Sequence, residues 1–408
     1  MQEVWFINQY AISPDLPGGT RHYDFGVELV NAGHTVRIFA ADVNLALRRK
    51  VRDLRGKLWL EEPVNGVLFE WVRTSTYQRN DWRRALNMFE FSWNVYRAGL
   101  KLGVRPGLIV GSSPHLFAAL GGLYLARRFG CRFIFEVRDL WPQALIDMNG
   151  LSEGHPMVRV MRQVEKKLYR EADHIVVLAE GSIPYLENMG VSGDRISFIP
   201  NGVHPGHFVP RMARVEARNR YGFTEFTVVY TGAHGPANAL ETVLQAADEL
   251  KEYTSIEFVL VGDGPVKGDL LARAREMGLP NVRFMDPVPK GDIPDLLQAA
   301  DAAVITLKDA RAFYNAVSPN KLYDYLAAGK PVLCAVPGEV ARMVDESACG
   351  LTAPAEDGLA LARQTRVLAG LLEDERAGMG ARGRQLVMER FSRPKLVREF
   401  IRLAGTND

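Results

Sequence analysis

Short hydrophobic runs alternate along the chain with longer segments in which hydrophobic residues recur every three or four positions. A short hydrophobic run is typical of a buried strand, and the second pattern is typical of a helix with one buried face. The runs predict strands at Glu3–Asn8, Thr35–Ala40, Leu108–Gly111, Arg132–Val137, His174–Leu178, Ile196–Ile199, Thr227–Thr231, Ile256–Val261, Val282–Met285, Ala302–Ile305, Pro331–Cys334 and Gly350–Thr352. The amphipathic segments predict helices at His22–Ala32, Leu116–Phe129, Met157–Arg170, Ala239–Leu250, Val266–Met277, Ile293–Ala299, Lys321–Ala327, Leu359–Ala369 and Lys395–Ala404.

This alternation predicts an α/β protein with parallel sheets, because two parallel strands need a crossover connection that is usually a helix. The chain has 408 residues, more than one typical core requires. Prolines and glycines punctuate residues 200–210, so we place a linker there and predict domains at residues 1–203 and 204–391. We expect two doubly wound, Rossmann-like domains facing an interdomain cleft, with a C-terminal helix at residues 392–408 that packs back onto the first domain.

Two segments of the first domain do not follow this alternation, and we expect both outside its strands. Residues 47–60 are basic and amphipathic, and residues 77–96 are rich in Trp, Phe and Arg. Basic side chains next to Leu58, Trp59 and Leu60 predict contact with anionic lipid, although a solvated helix face explains them equally well. The basic residues concerned are Arg48, Arg49, Lys50, Arg52, Arg55 and Lys57.

Composition limits the classes of partner and compartment. The formal net charge of +2 gives no global electrostatic reason to bind nucleic acid. Cys131, Cys334 and Cys349 lack the spacing of a zinc or redox site, which favours a reducing cytoplasm. No hydrophobic run approaches the roughly 18 residues that span a membrane, and the N-terminus does not resemble a signal peptide. We therefore expect a cytoplasmic protein, at most peripheral at the inner face of the plasma membrane.

A glycine turn at Pro17-Gly18-Gly19-Thr20 follows the first predicted strand and precedes a helix. Glycines let backbone N–H groups approach a phosphate or a reacting sugar, and a helix N-terminus favours an anion. The alternative interpretation is an ordinary tight turn.

Charged residues also follow the strand at Arg132–Val137, where Glu136, Arg138 and Asp139 crowd together. Ligands of open α/β sheets bind outside the carboxyl ends of strands, so these side chains are candidates for the reaction centre. The alternative is an Arg138–Asp139 ion pair that only braces the loop.

His115 lies at another strand end, in the segment Gly111-Ser112-Ser113-Pro114-His115. A histidine there could carry a proton or bind a sugar hydroxyl. The alternative is a helix cap, with Ser113 as N-cap and Pro114 at the first helical position.

The second domain has its own glycine turn after its first strand, where Gly232 and Gly235 flank His234. This turn would admit a diphosphate close to the backbone, and the alternative is an ordinary strand-to-helix turn.

The segment from Ser318 to Val332 carries the strongest motif. Ser318 is the predicted N-cap and Pro319 the first helical residue, so Lys321 adds a positive charge where backbone N–H groups can bind an anion. Asp324 shares the face of Lys321 and could accept both hydroxyls of a ribose. The alternative is a plain amphipathic helix with an ion pair.

At these residues the chain resembles family 4 of the retaining glycosyltransferases, which have the GT-B fold, and in particular the bacterial surface-polysaccharide branch with fucosamine-type O-antigen transferases. The resemblance runs nearly end to end. The matching strings are GGT at 18–20, SSPHLFAAL at 112–120, FEVRDLWP at 135–142, IPNGV at 199–203, VGDGP at 261–265 and SPNKLYDYLAAGKPV at 318–332.

The resemblance implies that the second domain holds the nucleotide. The diphosphate would face Ser318, Pro319, Asn320 and Lys321, the ribose would lie at Asp324, and the base would lie near Asp286 and Val288. The first domain would supply the acceptor and glycine-loop contacts, with His115, Arg138 and Asp139 lining the reaction centre.

The chain departs from the family pattern at two places. Ala316 stands where the first Glu of E-x7-E is usual, and Asn238 stands near the position of the usual Arg/Lys pair. Lys321, with Lys308 or Arg311, would then neutralise the diphosphate.

We therefore expect a retaining hexosyl- or N-acetylhexosaminyltransferase that uses a nucleotide diphosphate sugar, UDP-sugar being favoured, and a glycan or polyprenyl-diphosphate-linked acceptor. We expect no cofactor and no essential metal, because the sequence contains no clustered set of metal ligands. A sugar-nucleotide epimerase of the same fold and a non-catalytic sugar-nucleotide-binding partner are the alternatives.

Overall fold

The chain divides into two compact units in the computed structural model, which describes residues 2–16, 18–45, 47–77 and 82–405. Pro17 of the first glycine turn, residues 78–81 of the aromatic segment and residues 406–408 of the predicted C-terminal helix lie outside the described residues. The first unit comprises Met1–Asn201, Ala316–Ser318 and Arg393–Asp408, and the second comprises Gly202–Asn315 and Pro319–Ser392.

The sheet of the first unit has the strand order β3-β4-β2-β1-β5-β6-β7-β8 in the described residues. All neighbouring strands are parallel except β3 and β4, which form an antiparallel hairpin at one edge. The strands are β1 Glu3–Ile7, β2 Thr35–Ala41, β3 Trp59–Val64, β4 Val67–Val72, β5 Leu108–Ser112, β6 Arg132–Val137, β7 His174–Val177 and β8 Ile196–Phe198.

Helices cover both faces of this sheet, so its central strands are hydrophobic at successive positions. Val4 and Phe6 of β1 contribute to one core, and Trp5 and Ile7 contribute to the core on the opposite face. The helices that precede the second unit are α1 Arg21–Asn31, α2 Trp82–Lys101, α3 Leu116–Phe129, α4 Gln143–Asn149, α5 Pro156–Glu171 and α6 Ile183–Asn188.

The structure corrects the expectations for the two irregular segments. Residues 47–60 do not form a helix; they run as turns and bends into β3, so Trp59 and Leu60 lie in a sheet strand. In the other segment, the 20-residue helix α2 begins at Trp82, which the sequence interpretation did not assign. Within the described part of the chain, no helix combines the length and hydrophobicity needed to cross a bilayer.

The second unit contains a parallel sheet with the strand order β11-β10-β9-β12-β13-β14. Its strands are β9 Phe226–Thr231, β10 Ile256–Val261, β11 Val282–Met285, β12 Ala302–Thr306, β13 Val332–Ala335 and β14 Gly350–Thr352. Its helices are α7 Arg214–Tyr221, α8 Glu241–Glu249, α9 Lys267–Glu276, α10 Ile293–Ala299, α11 Arg311–Asn315, α12 Asn320–Ala327, α13 Glu339–Glu346, α14 Gly358–Gly370 and α15 Glu373–Leu386.

The last helix, α16 at Arg393–Leu403, belongs to the first unit although it follows the second in the chain. Its Phe400 lies 5.9 Å from Phe6 and 5.8 Å from Phe25 between ring centroids. α1 and α16 thus share the core on one face of the first sheet, while α2, α3 and α5 contribute to the core on the other.

Candidate functional site

A buried carboxylate, Glu136 near the end of β6, holds together the elements at the carboxyl ends of the strands in the first unit. Its Oε1 accepts a hydrogen bond from Nε of Arg21 at 2.9 Å, and its Oε2 lies 2.8 Å from Nε2 of His22. Ser112 donates its hydroxyl proton to the same Oε2 at 2.7 Å. Burial alone would raise the pKa of Glu136, but the charges of Arg21 and neighbouring basic groups hold that pKa well below its usual value. Glu136 therefore fixes α1 against β5 and β6 as a carboxylate.

The loop after β6 is held by the hydroxyl of Ser113. Ser113 Oγ accepts hydrogen bonds from the backbone N–H groups of Arg138 at 2.8 Å and Asp139 at 3.3 Å. The alternative interpretation was an ion pair between Arg138 and Asp139. In the part of the chain that the structure describes, these two side chains do not form one. The loop geometry instead comes from Ser113, which leaves both side chains at the sheet edge.

A pocket of about 380 Å³ lies in the first unit beside this loop. It brings together Gly18, Gly19, Arg138 and Asp139 from the predicted site residues. Gly18 has φ of +134°, and a Cβ there would lie 3.0 Å from Ile12. The remaining wall is mostly hydrophobic and is formed by Gln9, Tyr10, Ala11, Ile12, Leu16, Ala41, Val43, Asn44, Leu45, Val51, Trp71 and Pro114.

Thr20 and His115 are not among the residues that line this pocket. Thr20 donates its hydroxyl proton to Asp24 at 2.8 Å. His115 is 1% exposed, and neither ring nitrogen has a hydrogen-bond partner among the described residues. Burial lowers the pKa of His115 to about 3, so its imidazole is neutral at physiological pH.

The alternative interpretation of this segment, a helix cap at Ser113 and Pro114, is wrong. Helix α3 begins at Leu116 with His115 at the N-cap position, and Ser113 holds the neighbouring loop instead of capping the helix.

In the second unit, two glycine turns pack backbone against backbone. A Cβ on Gly262 would lie 1.9 Å from the carbonyl oxygen of Gly232, and a Cβ on Gly264 would lie 2.4 Å from that of His234. The His234 N–H also donates to the Asp263 carbonyl at 2.8 Å. The main reason for glycine at these positions is therefore that the two turns approach each other too closely for a side chain.

The side chain of Lys321 lies against the first of these turns. A Cβ on Gly232 would lie 2.5 Å from Cε of Lys321. Nζ of Lys321 donates to Oδ1 of Asn238 at 2.7 Å and lies 5.0 Å from the centroid of the Tyr230 ring. Burial lowers the pKa of Lys321 to about 8, although Asp324 opposes that shift. The positive charge of this half-buried ammonium is therefore only partly compensated by Asp324, and a bound anion would stabilise the charged form.

The start of α12 differs in detail from the sequence prediction. The helix begins at Asn320, with Pro319 rather than Ser318 at the N-cap position. Ser318 belongs to the first unit, where its carbonyl accepts from the Asn201 side chain at 2.8 Å. Asp324 lies three residues after Lys321 on the same helix, as predicted.

Of the other predicted residues of the second unit, His234 and Gly235 belong to the first turn, and Asp286 is joined to the second through Lys267. His234 is fully buried, neither ring nitrogen has a hydrogen-bond partner in the described structure, and burial lowers its pKa to about 4. The carbonyl of Gly235 accepts from the Asn238 N–H at 3.0 Å. Asp286 is exposed and pairs with Lys267 at 2.8 Å, and Val288 is half-buried in the same loop.

Two residues that organise these turns were not assigned to the site from the sequence. The Asn238 side chain bridges Lys321 and the Ala233 carbonyl, to which it donates at 3.0 Å. Lys267 donates to the Gly262 carbonyl at 2.9 Å and thereby joins the second turn to Asp286. Lys267 lies two residues after the string VGDGP at 261–265, and this closeness to a glycine turn could have identified it as a site residue.

Two family profiles match the chain. Residues 18–202 match the family described as "Glycosyl transferase 4-like domain", and residues 225–370 match the family described as "Glycosyl transferases group 1". These matches fall within the first and the second unit, respectively, apart from residue 202 in the first match and residues 316–318 in the second.

Bacterial glycosyltransferases are among the similar sequences. WcaI of Escherichia coli (strain K12), whose name assigns it to colanic acid biosynthesis, is 28% identical over 78% of this chain and 79% of its own length. The glycosyltransferase WbjE of Pseudomonas aeruginosa is 24% identical over 71% of this chain and 70% of its own length.

Solved structures show the same fold over the whole chain. Sucrose-phosphate synthase from Thermosynechococcus elongatus has a TM-score of 0.79 at 19% identity, covering 100% of this chain and 99% of that one. Anabaena Alr3699/HepE, solved with UDP and glucose, has a TM-score of 0.73 at 15% identity, covering 100% of both chains. With its glycosyltransferase 4-like domain followed by a group 1 domain, this chain is a glycosyltransferase of the two-Rossmann-domain GT-B fold.

Proposed function

We propose that the protein transfers a hexosyl or N-acetylhexosaminyl group from a UDP-sugar, with retention of configuration, in the synthesis of a bacterial surface polysaccharide. The acceptor is a glycan or a polyprenyl-diphosphate-linked sugar. The names of WcaI and of TuaH from Bacillus subtilis, which is assigned to teichuronic acid biosynthesis, support the polysaccharide class. The HepE complexes with UDP and UDP-glucose support the donor class.

The arrangement of Lys321 is the observation that carries the proposal. Its ammonium is positioned by Asn238 beside a glycine turn that has φ of +138° at Gly232, and it lies one residue inside the start of α12. A helix N-terminus, a glycine turn and a cation together favour a diphosphate. We propose that Asn320 and Pro319 contribute contacts at this helix start and that Asp324 accepts the ribose hydroxyls.

The departing diphosphate gains charge as the bond to the sugar breaks. Lys321 stabilises that charge more strongly in the transition state than in the ground state, which is the condition for catalysis. In the front-face route that the family resemblance implies, a departing phosphate oxygen takes the proton of the acceptor hydroxyl. This route requires neither a protein nucleophile nor an essential metal, so chelation with EDTA should leave the rate unchanged.

We propose that the pocket of the first domain binds the acceptor. Arg138 and Asp139 stand at its rim and offer a cation and a carboxylate to acceptor hydroxyls. His115 is buried and does not line this pocket, and with a pKa of about 3 its imidazole is not protonated to the imidazolium that a general acid requires at physiological pH, so we assign it no proton transfer.

The epimerase and the non-catalytic partner are not favoured, because the similar bacterial sequences are glycosyltransferases. Release of free sugar epimer from a UDP-sugar without acceptor would distinguish the epimerase. Nucleotide binding without transfer to any acceptor pool would distinguish the binding partner.

The test is a donor screen followed by a transfer assay. UDP-, GDP- and TDP-sugars are ranked by thermal stabilisation, and the best is assayed with membrane extracts, with the anomeric configuration of the product read by NMR. We expect a UDP-sugar to rank first and Lys321→Ala to lower kcat/KM by roughly a hundredfold or more. Lys251→Ala, which removes an exposed ion pair with Asp248, is the control and should leave the rate unchanged. Full activity of Lys321→Ala would contradict the role of this residue.

A further inference from the structure

One layer of the first domain carries most of its exposed hydrophobic surface. Of the nine large hydrophobic side chains exposed in the described part of this domain, seven lie on α2, α3 and α5, which we call the three-helix face. The other two are Leu45 and Leu47. Trp93 and Phe89 are 57% and 64% exposed, which is unusual for such large aromatic side chains.

The exposed side chains of α2 form a continuous stripe. Leu86, Phe89, Trp93 and Leu100 recur at a spacing of three, four and seven residues and therefore share one side of the helix. α2 packs closely on α3, since a Cβ on Gly121 would lie 3.2 Å from the Ser92 carbonyl oxygen.

A hydrophobic groove of about 350 Å³ lies between these two helices. Its walls include Trp93, Tyr96, Phe117 and Tyr124. The Trp93 and Tyr96 rings are stacked with centroids 6.5 Å apart. Large aromatic rings with a polar tip are the side chains that favour the boundary between lipid and water.

Helix α5 extends the face beyond Tyr124. Lys167 of α5 lies 5.7 Å from the centroid of the Tyr124 ring, and Met157 and Val160 on the same helix are also exposed. The hydrophobic surface thus continues across three neighbouring helices.

The same three helices are strongly basic. Together α2, α3 and α5 contain eleven Lys and Arg residues and three Glu residues, a net charge of +8, whereas the whole chain carries +2. Eight of the eleven basic residues are exposed, among them Arg97, Lys101 and Arg128, so positive charge and exposed hydrophobic groups occur on the same helices, and the remainder of the chain is net negative. Coincidence of the two properties is the signature of binding to an anionic bilayer surface.

We propose that the three-helix face docks the protein on an anionic lipid bilayer, with Phe89 and Trp93 entering the headgroup boundary and basic side chains contacting lipid phosphates. Charge complementarity selects lipid over a second copy of the chain, because two net basic faces repel each other.

This location replaces the basic segment at residues 47–60. Ion pairs neutralise part of the charge at both places, through Arg52–Glu62 at 2.6 Å in that segment and through Arg162–Glu153 at 2.8 Å on α5. The difference is hydrophobic: α2 exposes Phe89 and Trp93, whereas Leu47 is the exposed large hydrophobic residue of the described segment. Leu54 in that segment is buried.

The test is flotation of the full chain with vesicles of phosphatidylcholine alone and with vesicles in which about a third of the lipid is phosphatidylglycerol. We expect binding only to the anionic vesicles, weakening as salt rises. Phe89→Ser combined with Trp93→Ser should weaken partitioning by about tenfold. The control pair Val215→Ser and Leu372→Ser removes side chains of the second domain with 72% and 73% exposure and should change nothing.

A second comparison separates the two basic regions. Neutralising Arg97, Lys101 and Arg128 on the face should weaken binding by about a hundredfold, at roughly fivefold per charge. Neutralising Arg49, Arg55 and Lys57 in the loop should weaken it far less. Each variant is first shown to keep the thermal unfolding midpoint of the unmodified chain.

Three outcomes would overturn the proposal: no flotation with anionic vesicles, loss of flotation only in the loop variant, or a dimer in sedimentation that Phe89→Ser and Trp93→Ser convert to monomer without changing flotation. The assay contains neither donor nor acceptor, so its failure would leave the proposed transfer reaction untouched.

Discussion

Individual side chains of the second domain make most of the contacts that we propose with the donor. Lys321 is the clearest example. Its position on the helix was visible in the sequence, because Ser318-Pro319-Asn320-Lys321 has the pattern of a helix start. Its hydrogen bond to Asn238 was not, since 83 residues separate the two positions in the chain. Sequence spacing fixes neighbours along a helix but not partners across a fold.

The lowered pKa of Lys321 predicts how nucleotide binding depends on pH. The free enzyme has a pKa of about 8 at this group, and a bound diphosphate raises it because it stabilises the ammonium form. UDP affinity should therefore be constant from pH 7 to about 8 and then fall by nearly tenfold per pH unit. Calorimetric titration of UDP at several pH values measures this, and constant affinity up to pH 9 would contradict it.

The paired glycine turns predict a difference between two Gly→Ala substitutions. Gly262→Ala places a Cβ 1.9 Å from a backbone oxygen at φ of +148°, so we expect a loss of roughly 1–3 kcal/mol of unfolding free energy. Gly268→Ala lies in α9 with no atom within 4 Å of its Cβ and should stabilise the fold by up to about 1 kcal/mol. Urea denaturation compares the two, and equal stabilities would contradict the close packing of the turns.

At the scale of elements, buried strands were the most predictable part of the fold. The predicted bounds of β6 and β10 equal those of the structure, because hydrophobic runs mark strands covered on both faces. The bounds of β11 and β14 also agree, although both are short edge strands that are mostly half-buried. The β3–β4 hairpin was missed, although Asn65-Gly66 between two hydrophobic runs is a strong hairpin signal. Both residues have positive φ, at 48° and 83°.

Element packing also depends on a contact that no local pattern contains. Glu136 joins β6 to α1 through Arg21, which is 115 residues away in the chain. The motif at residues 135–142 indicated Glu136 as a candidate for the reaction centre. Its hydrogen bonds show instead that it holds α1 against β5 and β6.

Glu136→Gln should lower the unfolding free energy of the first domain by roughly 3–5 kcal/mol, because it leaves the guanidinium of Arg21 buried without its counter-charge. Glu276→Gln breaks an exposed ion pair with Arg273 and should cost about 0.5 kcal/mol or less. Since the folded-state pKa of Glu136 is depressed, its contribution is present above the unfolded pKa and is lost as pH falls through the folded value. Equal losses in the two variants, measured by urea denaturation at pH 7, would contradict the account.

For the whole molecule, the sequence predicted two α/β domains with a boundary two residues from the division in the structure. The pattern could indicate this because both domains repeat the same strand–helix alternation. Which side chains of α16 enter the first core was not predictable, since 368 residues separate Phe25 from Arg393, the first residue of that helix.

The position of α16 predicts a distant effect of a C-terminal substitution. Phe400 is 2% exposed against Phe6 and Phe25, so Phe400→Ala should destabilise the first domain by roughly 3–5 kcal/mol. Arg398→Ala on the exposed side of the same helix should have little effect. Thermal unfolding followed by near-ultraviolet circular dichroism reports the change, and an unaltered midpoint for Phe400→Ala would contradict the assignment of α16 to this core.

The most direct measurement is the crystal structure of the protein soaked with UDP. We predict density for the diphosphate at the start of α12, with a phosphate oxygen within hydrogen-bond distance of Lys321 Nζ and with the uracil near Asp286 and Val288. Nucleotide density at another place, with Lys321 still bonded only to Asn238 and the glycine turns closed on each other, would contradict the account.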